Sequence, residues 1–520
     1  MQAPLRRVAA ALAALATATA STSALAAEVL VATSAEFASA LADAKAGDVV
    51  VLADGVYASA GASCAAMGSA DAPIVVRAQS ALGARIELDA VEGFLVSGAH
   101  WHFEDLEVVG TCPSGASCEH AFHVVGKAEG FVLRRSRVLD FHAQLKVNST
   151  PNGAGGWDTP HAGLVEDCEL ADTAPRATSS PVTKLNIDTG DDWVVRGNYL
   201  HDFHKNGGNG VSYGAFMKSG GKRGLFERNV VVCSESVNTG GVRIGLSFGG
   251  GGTAPEFCAP AFDPAVACDP EHTDGVMRNN VIASCSDVGI YLNRAATTRV
   301  VHNTLIETTG VDFRFPSTSG EARGNLTSSQ IRVRDGASLV EEQNAEDLTL
   351  ADFEGWFSDP SVGELSLVPG ADLSTLVGAV TATDDVVFDL CLRERGGSPH
   401  DLGALEVSLG DCDTKPPPRA TANGGAGGQG AGAGGGAGGA ASGGTGGTSG
   451  GGGGPGGAGD GGQGGTVNPQ PGCGCAVIGS AGGATTAQGS WQAWVAALLP
   501  LLAARRATRT PRRSDRRTAS

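Results

Sequence analysis

Aromatic side chains make up only 5% of the 520 residues, and there are four methionines. Repeated apolar runs of ~20 residues are lacking, and so is a sustained three-to-four-residue apolar period. These absences exclude a multi-span membrane protein and a helical bundle. Glycine is abundant, at 78 residues, but keeps no strict three-residue period, which excludes collagen. Twenty-seven of those glycines lie between Gly424 and Gly465, so the soft expectation of one domain per ~150 residues overcounts here. Basic charge is scarce. The net charge is −18 although Arg6 and Arg7, with seven arginines against one aspartate after Cys473, contribute +8, leaving about −26 on the rest. That balance disfavours nucleic acid as a partner, because phosphate binding needs a basic face. No cysteine spacing fits a zinc site.

The ends carry processing signals. Residues 1–26 combine Arg6 and Arg7, an Ala/Leu run and the small residues Ala24-Leu25-Ala26, the pattern of a secretory leader. A single body spans 27–412, a Pro/Gly-rich linker 413–472 and a C-terminal segment 473–520. The linker has almost no charge or apolar content and is expected to act as a tether without a fold. Beyond Cys473-Gly474-Cys475 come an apolar stretch from Trp491 to Ala504 and seven arginines. This order resembles the myxobacterial C-terminal sorting signal, which implies processing near a cysteine, attachment to the cell envelope and surface display. Ten of the twelve cysteines lie in the body, an even number in an exported chain, so disulfides are expected. The close pairs Cys112/Cys118 and Cys258/Cys268 are candidate partners.

Within the body, one short helix is expected from an N-cap at Ser34, with Phe37 and Leu41 one turn apart. Val49–Leu52 follows as a strand. Thereafter brief β-rich runs alternate with Gly, Asn and Asp, with no βαβ alternation. A repeat emerges: segments starting at Gly214, Gly241, Gly289 and Gly310 share the pattern Gly, apolar, x, apolar, x. Asn229, Asn280, Asn303 and Asn325 follow at 15, 39, 14 and 15 residues, and Leu185-Asn186-Ile187 leads to Asn198 in an earlier copy. Such all-strand repeats cannot bury their faces alone and must stack. The expected fold is therefore all-β, a right-handed parallel β-helix with a short N-terminal capping helix and an asparagine ladder; a β-sandwich is the alternative. The long interval accommodates an insertion from Gly249 to about Thr273, and excursions on one face of a solenoid often build a site.

With the apolar residues inside, the x positions face out. Coil by coil these are Asn186 and Asp188, Phe216 and Lys218, Arg243 and Gly245, Tyr291 and Asn293, and Asp312 and Arg314. This register makes Lys218 and Arg243 neighbours on adjacent coils, with Lys205, Lys222, Arg223 and Arg294 adding positive charge. Two cations at one position suit β-elimination on a uronic-acid polymer. A positive group neutralises the carboxylate and stabilises the enolate-like intermediate, and a lysine removes the C5 proton. From register alone, the reading of Lys218 and Arg243 as solvated outward charges paired with Asp188 is the favoured one.

Met217-Lys218-Ser219 with Asn229, then Gly241-Val242-Arg243, resembles the lysine-serine and arginine segments of polysaccharide lyase family 6, which contains alginate lyases and chondroitinase B. Residues 46–57 and 72–78 are similar to that family's opening, and Asp401–Glu406 to a closing motif of such helices. The resemblance implies a lyase with Lys218 as base and Arg243 as acid or charge stabiliser. It further implies an acidic polysaccharide, for which the outward register offers Phe216, Tyr291, Asn293 and Arg314 and the nearby cations Lys205 and Arg294 as binding residues. It also implies a calcium ion. Val211 and Tyr213 occupy the places of the family's metal-binding glutamates, leaving Asn186 and Asp188 as the candidate calcium ligands.

Other motifs carry less. Asp191-Asp192 is similar to the paired carboxylates of β-helical galacturonases but lacks a following Gly-His-Gly, and reads as a turn. Asp269–His272 resembles a scrambled alginate-epimerase signature. His201, His204 and His302 adjoin the asparagine ladder and read as structural. Gly249–Gly252 lacks the Lys-Ser/Thr of a phosphate loop. The leading expectation is an exported monomeric lyase; a non-catalytic carbohydrate-binding or adhesive solenoid, and then a glycoside hydrolase, are the alternatives.

Overall fold

A computed structural model describes residues 28–414, apart from 115–116, 238, 251, 383–385 and 397–398. The leader over 1–26, nearly all of the linker over 413–472 and the segment 473–520 lie outside the described residues. The chain winds through three parallel sheets of twelve, ten and ten strands; ten coils add one strand to each sheet, and Glu28–Val31 and Ser338–Glu342 extend the first sheet at its two ends. This is the right-handed parallel β-helix; the sandwich alternative is excluded because the strands of all three long sheets pair in parallel.

The coils turn where the sequence supplies left-handed backbone. Between the first and third sheets one residue in each coil after the first has φ near +50° to +70°, among them Asp167, Gly197, Arg228, Asn279 and His302. Directly after four of these corners stand Asn198, Asn229, Asn280 and Asn303, joined by Asn325 and Asn344 in a ladder. Each Nδ2 donates to the next Oδ1 at 2.9–3.0 Å, and that same oxygen accepts the backbone N–H of the preceding asparagine. The amides thus satisfy buried backbone that the corner would otherwise orphan.

The helix Ser34–Asp43 closes the first coil. Its N-cap is Thr33 rather than Ser34: Thr33 Oγ1 accepts from Glu36 N, and the Glu36 carboxylate accepts from Thr33 N. This capping box sets the helix one residue earlier than Ser34 alone implied. Phe37 and Leu41 are buried, Phe37 against the rings of Tyr57 and Phe94.

The segment after residue 345 covers the outer face of the third sheet. Leu402, Ala404 and Leu405 pack there with Val230, Val232, Val281, Ala283 and Ile306. Strands such as Val230–Val232 are apolar at every position because both of their faces are covered. Disulfides join Cys112–Cys118 and Cys258–Cys268, as the spacing suggested, together with Cys233–Cys285 and Cys391–Cys412. Cys64 and Cys168 are buried thiols. Among the described residues no helix is long and apolar enough to cross a membrane.

Candidate functional site

The second sheet includes, in chain order, the strands Glu92–Val96, His120–Val125, Ala143–Asn148, Val182–Asp188, Val211–Lys218, Val242–Phe248, Ile290–Asn293, Val311–Arg314 and Ile331–Arg334. These strands do not alternate strictly. Each bends where two consecutive residues turn inward, such as Ala121 with Phe122, Gln144 with Leu145 and Lys184 with Leu185. Gly214, Gly245 and Gly289 fill the same column in later coils, packed so closely that a Cβ on Gly245 would lie 2.3 Å from Gly289 O.

That bend corrects the register of Arg243. The equivalent of Gly214 is Gly245, not Gly241, so Phe216 stands opposite Ser247 and Arg243 opposite Ser212. Ser212 lies six residues before Lys218, of the order of 15–20 Å along the strand. Arg243 is buried, donates through Nη1 to Thr239 O at 2.7 Å and touches His204. The two cations expected to act together are therefore on adjacent coils but at opposite ends of their strands. Lys205 belongs with Arg243. It bonds Asn209 Oδ1 at 2.9 Å and lines a cavity of about 360 Å³ walled by the Gly-rich backbone of 206–210 and 239–241.

In the Lys218 position of the next coil stands Gly249, where the insertion departs. A Cβ there would lie 1.8 Å from Asn293 O, and φ is +69°, so glycine is required. Lys218 instead meets the preceding coils. Asp188, its register partner, receives Lys146 Nζ on Oδ2 and faces Lys218 Nζ from Oδ1 at 3.3 Å. Lys146 also donates to Asn186 Oδ1 at 3.0 Å. One carboxylate thus serves two ammonium groups, whose side chains are only 12% and 14% exposed. Burial pulls the Lys146 ammonium below the usual lysine range. Burial would raise Asp188, but the charges of Lys146 and Lys218 outweigh it and hold that carboxyl below its ordinary value.

This geometry does not fit calcium on Asn186 and Asp188. Both side chains already accept from the Lys146 ammonium, and a dication between them would sit against two lysines.

The remaining predicted residues divide by exposure. Phe216 and Tyr291 are buried in a small apolar cluster on the outer face with Tyr213, Ile244 and Val288, and Lys218 Nζ lies 5.0 Å from the Phe216 centroid. The Tyr291 hydroxyl accepts from Asn293 Nδ2 and Arg314 Nη1, each at 3.3 Å. Arg294 and Arg314 stack on Phe315, at 4.4 and 4.8 Å from its centroid. Arg314 is also paired with Asp335. Asp191 and Asp192 sit in a turn and bind Arg223.

Two loops flank this face. Trp157, from the segment after Ala143–Asn148, stacks on Phe262 of the insertion with centroids 4.4 Å apart. Thr253 bonds Ser219 at 2.8 Å, and Glu271 receives Thr253 N at 3.1 Å. Burial raises the Glu271 carboxyl, against the opposing charges of Lys218 and Arg294. The sequence reading missed Lys146, whose Leu145-Lys146-Val147-Asn148 repeats the alternation of Leu185–Asp188 one coil earlier. It also passed over Glu271 as a functional group.

No known protein family signature matches the chain, and no curated protein matches it. Among solved structures, the pectate lyase Pel9A is 14% identical, with 73% of this chain and 96% of that one covered and a TM-score of 0.48. A rhamnogalacturonan lyase is 16% identical over 59% and 83%, with a TM-score of 0.43. The family 6 polysaccharide lyase Pedsa3628 from Pseudopedobacter saltans is 12% identical over 61% and 92%, with a TM-score of 0.35. These are distant likenesses in the course of the chain.

Proposed function

We propose that the protein is an exported β-helix that binds an acidic, uronate-containing polysaccharide over the outer face of the second sheet and cleaves it by β-elimination. The observation that carries this reading is the Lys146–Asp188–Lys218 cluster. Asp188 lies within ion-pair distance of both ammonium groups, and with Lys146 on its Oδ2 it holds Lys218 Nζ from Oδ1 at 3.3 Å, at the end of the strand that faces the insertion. Lys218, at the strand end beside the insertion, is the base. Its amine takes the C5 proton, the C4–C5 double bond forms as the C4–O bond breaks, and the new ammonium returns the proton to the departing oxygen. In this reading Arg294 and Arg314, which stack on Phe315 and face Asp269 and Asp335, exchange those carboxylates for that of the uronate, the role expected of Arg243 from the sequence. Four disulfides accord with an oxidising, extracellular setting.

The test mixes purified protein with alginate, chondroitin and pectate and follows the ultraviolet absorbance of an unsaturated uronate end. Activity on at least one polymer, lost in Lys218→Ala with an unchanged melting curve, is the expected result. Full activity in that variant removes Lys218 from the mechanism. Polymer retention without new absorbance or reducing ends identifies a binding solenoid, and reducing ends without the absorbance identify a hydrolase.

A further inference from the structure

We propose that Glu92, His120 and His123 form a binding site for one divalent transition-metal ion of the zinc class. It lies on the same sheet face, toward the N-terminal coils, and does not depend on the lyase reading. In a flat strand His120 and His123 would face opposite ways. Here Ala121 and Phe122 both turn inward at the bend, and that returns His123 to the face His120 occupies. Glu92 is the register partner of His120 on the preceding coil.

Both imidazoles aim Nδ1 at one carboxylate. His120 Nδ1 lies 3.0 Å from each Glu92 oxygen, and His123 Nδ1 lies 3.0 Å from Oε2. All three ligand atoms fall within 4.8 Å of one another. Ligand atoms around a tetrahedral ion with bonds of about 2.05 Å are about 3.3 Å apart, so small side-chain shifts admit the ion. His123 Nε2 is 3.0 Å from Asn148 Oδ1. In the tautomer that donates Nε2–H to the amide oxygen, Nδ1 is left with a lone pair for a metal ion. An outer hydrogen bond that fixes the tautomer is the usual support of a metal-binding histidine.

The surroundings permit a cation. Lys146 is the next residue in register after His123, but its ammonium is turned toward Asn186 and Asp188. Two nitrogens and one oxygen select zinc, cobalt or nickel over calcium. Glu92 is one-third exposed, which leaves the outer coordination positions to water or a bound sugar oxygen.

Calorimetric titration of the chelator-stripped full chain with zinc chloride, and with cobalt to read the visible bands of a tetrahedral ion, tests the site. One ion per chain is expected. Glu92→Gln and His120→Ala should each lower affinity at least about tenfold, while His201→Ala, in the separate His201–Asp202–Glu235 cluster, leaves it unchanged. Melting curves of the metal-free variants check folding; should His120→Ala fail to fold, the near-isosteric Glu92→Gln decides. No zinc uptake, uptake unaffected by Glu92→Gln, or uptake lost only in His201→Ala would overturn the proposal.

Discussion

Asp188 Oδ1 stands 3.3 Å from Lys218 Nζ, while its other oxygen accepts from Lys146. Removing that carboxylate leaves two poorly exposed ammonium groups without their counter-charge. Asp188→Asn is expected to cost about 3–5 kcal/mol, read as a lowered urea midpoint. The sign with pH follows from the direction of its shift. Its folded pKa is depressed, so its contribution is full above the ordinary value of 3.8 and is lost as pH falls through the folded value. The wild-type advantage over the variant should therefore shrink in strong acid.

Lys218 and Arg243 should separate cleanly under mutation. Lys218→Ala is expected to lower the elimination rate by about 10²–10⁴-fold with little change in melting. Arg243→Gln should instead leave the rate within a few-fold and lower the melting temperature, because the buried guanidinium holds Thr239 O. Steady-state rates and thermal melts on both variants check this, and equal rate losses would restore Arg243 to the reaction.

The asparagine ladder should weaken most where it is most enclosed. Asn229 donates to Val195 O and Asn280 Oδ1 and accepts twice from Asn198. Asn229→Ala orphans several buried groups at about 1–3 kcal/mol each, so a loss of roughly 3 kcal/mol or more is expected. Asn344→Ala, at the ladder's less buried end, should lose less. Denaturant melts of the two variants give the comparison.

His272 sits fully buried on the Phe248 ring, with centroids 4.2 Å apart, and burial depresses its pKa to about 3. The unfolded chain takes up that proton near pH 6.5 and the folded chain does not, so stability should fall as pH drops from 6.5 toward 3, by about 1.4 kcal/mol per unit for this group. His204, depressed to about 4 by burial and by Arg243, acts in the same direction. His272→Leu should flatten the acid limb of a stability–pH curve; an unchanged limb would show that other groups set it.

The winding, the ladder from Asn198 to Asn325, the capping helix and two disulfides were legible because each leaves a local mark: a corner glycine, an amide at a fixed spacing, a close cysteine pair. Register was not. Period-two counting assumes one inward residue at a time, and the bend takes two. With glycines at both 241 and 245, the sequence allowed two alignments, and the structure adopts the second. In earlier coils the bend column holds Ala121, Gln144 and Lys184 rather than glycine, so those coils left no recognisable mark. Lys184 fills its place by bonding Asp172 and Phe141 O inside the coil. Lys146 and the His120–His123 pair stayed hidden for the same reason.

The two ends of the described coil are finished differently, and that has a bearing on growth of the rod. At the start, the Ser34–Asp43 helix sits over the first turn of the spiral. At the finish, the outermost strands present Arg332 and Arg334, both paired with Asp312, and Glu341 and Glu342, with Val333 and Val340 exposed among them. An apolar flat end would template another copy, and head-to-tail addition of identical coils would continue the stack into a fibre. A helical plug and a mostly charged rim are not copies of one surface, so neither end offers the next coil of a continuing stack.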